Sequence, residues 1–193
     1  MNWGNQYQRN ETARRAILTA ALEVCRDMGY AATSIEAIAR RAEVGKQTIY
    51  RWWPSKGLLL LDALQTRAGE TATFPDTGDI VADLAGQIHA VGRLFSNPDL
   101  APVVRAILAG RQSDPAVAER FLDELLEPRR TSAEQRLTLA VERGELPKEP
   151  SPAHLIELLY APLYYRLLVT HEPLDATYVE AHLAAVFAVV RRH

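Results

Sequence analysis

"VGKQTIYRWWPSK", residues 44–56, sets three basic residues, two tryptophans, a tyrosine and a proline within thirteen positions. A packed core is built mainly from Leu, Ile and Val, and a solvated face has no use for adjacent tryptophans. What flanks the stretch decides what it is.

Just upstream, "TSIEAIARRA" opens on Thr33 with Glu36 three residues on, the spacing of a capping box. The helix it predicts buries Ile35, Ile38 and Ala39 and leaves Arg40 and Arg41 outward. Ala-Glu-Val-Gly at 42–45 breaks it, and a short helix over 46–52 follows. Pro54 and Ser55 introduce a leucine-rich helix over 56–68. Ahead of all this, Asn10 is placed to cap a first helix after a polar tail over 1–9. Its Ile17, Leu18, Ala21, Leu22, Cys25 and Met28 recur at three and four, and Gly29 supplies a stop. Two short helices on a tight turn, braced by a third, form a helix-turn-helix unit.

Val44 and Ile49 are spaced to lock the short helix inward, which leaves Lys46, Gln47, Thr48, Tyr50 and Arg51 on or near its exposed side. Gln can bond the edge of adenine bidentately and Thr can meet a thymine methyl. Lys, Arg and a Tyr hydroxyl can hold phosphates. Ser55 and Lys56 start the next helix, where an anion site is expected.

"TSIEAIARRAEVGKQTIYRWWPSKGLLLLDAL", within about residues 12–66, resembles the DNA-binding domain of the TetR family of bacterial transcriptional regulators. The resemblance implies groove-facing roles for Lys46, Gln47 and Thr48, phosphate contacts for Tyr50 and Lys56, and a buried place for Trp53. Arg51 and Trp52 depart from the family's usual small aromatics. Trp52 either packs on the sugar-phosphate backbone or covers the core. The expected DNA-binding set is Thr33, Ser34, Lys46, Gln47, Thr48, Tyr50, Arg51, Trp52, Ser55 and Lys56.

The charge is divided along the chain. Residues 1–67 carry ten Lys/Arg against six Asp/Glu, and 68–193 carry twelve against eighteen. A basic front and an acidic back fit a front that meets a polyanion, although a merely solvated basic face has the same composition.

"GETATFPDTGD", 69–79, is the expected boundary between a DNA-binding domain over 1–67 and a ligand-sensing, dimerising domain over 68–193. Helices are expected at 80–96, 99–111, 115–143, 152–171 and 175–192, with no strand signal anywhere, so the fold class is all-α. The helix at 152–171 is apolar on nearly every face, which calls for a partner chain on its outer side. Leu159, Leu163 and Leu167, with Ala181, Ala185 and Ala188 of the last helix, form the expected dimer contact, two helices from each subunit making a four-helix bundle. Polar or aromatic side chains set in apolar helices nominate His89, Arg93, Arg111, Phe121, Tyr160 and Tyr164 for a pocket holding a small, largely hydrophobic effector. For each tyrosine the competing assignment is core or dimer interface.

Several classes of function drop out. The histidines show no metal-ligand spacing, Cys25 is alone, and no cofactor motif occurs. No phosphate loop, G-x-S-x-G or H-E-x-x-H supports an enzyme. The polar start and the interrupted apolar run at 155–169 argue against a signal peptide or a membrane span, so a cytoplasmic protein is expected. The leading expectation is a homodimeric repressor on double-stranded palindromic operator DNA. The alternative is a DNA-independent helical protein that binds lipids or partners.

Overall fold

The computed structural model describes residues 3–68 and 74–190, and every regular element among them is helical. The order is α1 (Trp3–Ala32), α2 (Ile35–Arg41), α3 (Lys46–Tyr50), α4 (Lys56–Ala68), α5 (Ile80–Ser96), α6 (Ala101–Gly110), α7 (Pro115–Arg120), α8 (Glu127–Glu142), α9 (Pro152–Tyr165) and α10 (Ala176–Val190). Residues 69–73 of the expected loop lie outside the described residues.

Local chemistry explains the boundaries and corrects three of the expected ones. α1 begins at Trp3, so Asn10 lies inside the helix and caps nothing. Regular α-geometry in α1 breaks at Gly29, whose φ of 74° suits a residue without a Cβ. Ile17, Leu18, Ala21 and Cys25 are buried, but Met28 at the break is half-exposed and Val24 takes the core place. The cap of α2 is Ser34 rather than Thr33, and its Oγ accepts from the N–H of Ala37 at 3.1 Å. The N3 position is therefore Ala37, and no Ser/Thr–Glu capping box forms. The helix expected over 115–143 is divided by a wider π-type stretch, Phe121–Leu126, and a second such stretch, Arg166–Thr170, continues α9.

The chain forms two compact units. The first contains residues 1–67 together with Pro98–Phe121, so α6 and α7 belong with the helix-turn-helix. Within it α1 packs on both α2 and α6. Four successive leucines of α4, Leu58 to Leu61, are all buried, which a helix with one covered face cannot achieve. The second cover is α7: a Cβ added at Gly57 would lie 2.6 Å from Val117 Cγ2. Likewise, a Cβ at Gly110 of α6 would lie 2.7 Å from the Tyr30 hydroxyl.

The second unit contains residues 68–97 and 122–193, with α9 packed against α5, α8 and α10. Leu155, Leu159, Leu163 and Leu167 form one inward stripe of α9 and its π-type extension, facing a core that includes Leu84, Ile88, Leu137, Leu183 and Phe187. One charged network is sealed into this unit. Arg136, 4% exposed, donates from Nε and Nη2 to Asp83 Oδ2 at 3.1 and 2.9 Å, and Asp83 is 1% exposed. Nη2 also reaches Glu145 at 3.1 Å, and Thr77 donates its hydroxyl to Asp83 at 2.6 Å. The network ties α5 to α8 and to the segments before α5 and after α8.

Removing one partner from a buried ion pair strands the other charge in a low dielectric. Arg136→Leu is therefore expected to lower unfolding free energy by about 3–5 kcal/mol, read by urea denaturation. The double variant Arg136→Leu/Asp83→Leu should recover much of that loss. A single variant as stable as the parent would show that the network contributes nothing.

Candidate nucleic-acid interface

α3 is held from behind. Ile49 is fully buried, the backbone N–H of Trp53 reaches Ile49 O at 2.9 Å, and Val44 in the preceding turn donates its N–H to Ala39 O at 3.0 Å. That orientation presents Lys46, Gln47, Tyr50 and Arg51 outward, at i, i+1, i+4 and i+5, on one face of the short helix. Tyr50 is 53% exposed although it is aromatic, and Thr48 at the edge of the face is half-buried. Lys46 Nζ makes an ion pair of 3.0 Å with Glu36 Oε1 across the turn.

The two tryptophans do different things. Trp53 is 2% exposed and donates its indole N–H to Asp62 Oδ2 at 2.7 Å. Trp52 is half-buried and meets Trp53 edge-on at 5.5 Å between ring centres. The guanidinium of Arg51 lies over Trp52, 5.0 Å from its centre. Trp52 is thus a platform that directs Arg51, a cation–π arrangement at the rim of the surface.

Four expected contacts are turned to internal work. Thr33 is buried and donates its hydroxyl to Gly29 O at 2.7 Å. Ser34 Oγ is committed as the cap of α2. Ser55 Oγ caps α4 by accepting from Leu58 N–H, and its hydroxyl donates to Asp114 Oδ2 at 3.2 Å. The anion site expected at the start of α4 is therefore already faced by a carboxylate of the same chain. Lys56 bonds the carbonyls of Tyr30 and Thr33, both at 2.8 Å, with its ammonium 4.4 Å from the Tyr30 ring centre. Asp114 and Tyr30 escaped sequence reasoning because their partners lie 59 and 26 residues away. Arg41, expected outward, is drawn to Glu23 and Asp27 of α1.

The six residues nominated for an effector are shared between the two units. Arg111 and Phe121 lie in the first unit, where the guanidinium stands 5.4 Å from the ring centre. His89, Arg93, Tyr160 and Tyr164 lie in the second, with Arg93 exposed. There, burial pushes the Tyr160 hydroxyl up to about 12, countered in part by a hydrogen bond with the buried Gln87. Tyr164 packs edge-on against Phe95 at 5.1 Å. Arg129 belongs to the same neighbourhood, its pKa lowered by desolvation and partly restored by Tyr164. Gln87 and Arg129 were missed because a lone polar residue on a mixed helix face carries no sign of burial.

The expected dimer set also divides. Leu159, Leu163 and Leu167 are buried within their own chain and belong to its core. Ala181, Ala185 and Ala188 are exposed along one side of α10. Tyr165, Leu168 and Val169 are exposed at the end of α9 and its π-type extension, Val169 to 62%.

A short helix braced behind and polar in front, within an all-α chain, defines a helix-turn-helix DNA-binding regulator. Residues 17–63 match the family described as bacterial regulatory proteins of the tetR family, and residues 74–186 match the tetracyclin repressor-like C-terminal domain. The chain is 32% identical to an uncharacterised HTH-type transcriptional regulator, YdeS, of Bacillus subtilis strain 168, covering 89% of this chain and 86% of that one. It is 29% identical to a DNA-binding transcriptional repressor, TetR, of Mycobacteroides abscessus, over 95% of this chain and 96% of the other. The crystal structure of the TetR family transcription regulator SCO0332 superposes with a TM-score of 0.68 at 33% identity, covering 89% and 94% of the two chains. The chain belongs to the TetR family of transcriptional regulators, and it is a DNA-binding protein rather than an enzyme.

From this geometry, Gln47→Ala is expected to relax preference at one base-pair position by roughly 1–3 kcal/mol, read by binding-site selection. Tyr50→Phe should instead weaken binding to all sequences alike. Lys56→Ala should lower the melting temperature of the free protein, since two carbonyls lose their donor. An unchanged selected motif for Gln47→Ala would remove that residue from the reading face.

Proposed function

We propose that the protein is a homodimeric repressor that occupies a palindromic operator in the cytoplasm and leaves it when a small, largely hydrophobic effector binds. The exposed face of Lys46, Gln47, Tyr50 and Arg51 is the observation that carries the reading. It offers a bidentate amide for a base edge among cations and a hydroxyl suited to phosphates. A single α3 reads only a few base pairs. Two readers about one DNA turn apart, related by a two-fold axis, give a site of useful length. The exposed Ala181, Ala185 and Ala188 of α10 supply small side chains that a second copy can approach closely, and Tyr165, Leu168 and Val169 leave further apolar groups exposed. Binding-site selection should return an inverted repeat, and a motif without two-fold symmetry would sink the palindrome.

Ala185→Glu should place like charges near the axis or bury one unpaired, shifting sedimentation to monomer and abolishing operator binding. A variant that stays dimeric would put residue 185 outside the contact.

The effector reading rests on Tyr160, Gln87, Tyr164 and Arg129, polar groups gathered near a leucine-rich helix of the second unit. Such a setting suits an apolar ligand with one polar end. A ligand that binds the folded protein raises its melting temperature, and it releases DNA only if it prefers the non-DNA geometry. In a thermal-shift screen, apolar compounds should stabilise the protein and weaken operator binding, and Tyr160→Phe should blunt both effects. Hits confined to sugars and nucleotides would overturn this assignment.

A further inference from the structure

We infer that Glu36 is a specificity-determining residue that keeps Lys46 off the phosphates and directs it toward base edges. Glu36 lies in the first turn of α2 and Lys46 is the first residue of α3, and their side chains meet at 3.0 Å across the turn. Both are more than half exposed, so this is a carboxylate displayed beside the face that must approach a polyanion. Exposed ion pairs contribute little to stability, so holding the fold together is a poor account of it. Its cost to DNA affinity, in contrast, is direct: a negative charge opposes every phosphate near it, and it occupies one of the ammonium's three donors.

That cost falls unevenly. Binding to arbitrary DNA is almost wholly phosphate neutralisation, and there Glu36 cancels what Lys46 would add. At the cognate site the hydrogen bonds of Gln47 and its neighbours to base edges supply what charge does not. A lysine tethered on one side also has fewer orientations to lose when its remaining donors meet an acceptor on a base. The ammonium bond holds the Glu36 carboxyl below the usual carboxylate range, so the tether persists through neutral pH. Arg51, directed by Trp52 instead of a carboxylate, remains available as a phosphate contact.

The test is Glu36→Gln, an isosteric change at an exposed position, in the full-length protein. Affinity for a random-sequence duplex should rise, and the slope of log K against log salt should steepen by about 0.9, one extra phosphate contact. Cognate affinity should gain less, so the cognate-to-random ratio should fall several-fold. In the Glu36→Gln background, Lys46→Met should remove the added contact. Unchanged random-DNA affinity and slope in Glu36→Gln would overturn the inference. Equal gains on both duplexes would reduce Glu36 to a general charge, and a shallower slope for Lys46→Met alone would show that Lys46 already holds a phosphate.

Discussion

The reading surface depends on one buried hydrogen bond. Trp53 is almost wholly enclosed, and an indole N–H in that position requires an acceptor. Asp62 of α4 supplies it at 2.7 Å and accepts from Arg120 of α7 at the same distance, with Arg14 of α1 at 3.6 Å. A single carboxylate therefore fixes the end of the α3 segment against α4, α7 and α1. Because the acceptor is charged, these bonds are stronger than neutral ones and strict about direction. Trp52 rests on Trp53, and Arg51 on Trp52, so the orientation of an exposed cation is inherited from a buried ring.

A second set of contacts closes the first unit around its own polar ends. Lys56 holds the carbonyls where α1 gives way to α2, and Tyr30 lies between that ammonium and the bare backbone of Gly110. Asp114 caps α7 with its carboxylate while accepting from Ser55, the cap of α4. Residues that look free for phosphate in the sequence are the ones that join α4, α6 and α7 to the helix-turn-helix. The hydrogen-bonding side chains of Lys46, Gln47 and Tyr50 on α3 stay exposed.

The second unit uses charge and aromatic packing differently. Its Arg136–Asp83 pair is sealed away from solvent and backed by Glu145 and Thr77, which makes it a fastening between α5 and α8. Two of its tyrosines, Tyr160 and Tyr164, lie on the leucine-rich α9, the first bonded to Gln87 and the second against Phe95. Leu155, Leu159 and Leu163 of α9 face inward, and the apolar groups left outside include alanines of α10, Tyr165, Leu168, Val169, Val81 and Leu122.

The sequence by itself determined the all-α class, the helix-turn-helix and most helix boundaries, because Gly29, Pro54, Asn97-Pro98 and Asp114-Pro115 act on their immediate neighbours. It also determined the polar face of α3, since burial of Ile49 and the helical period leave Lys46, Gln47 and Tyr50 nowhere else to point. Only tertiary structure decided which polar groups are spent. Thr33 and Ser34 are adjacent and alike, yet one is sealed against Gly29 and the other caps α2. Ser55 and Lys56 meet partners far along the chain, as do Arg136 and Tyr160. Periodicity records which side of a helix is covered, but not what covers it. A polar side chain's role is fixed by the partner that reaches it, and here that partner comes from another helix.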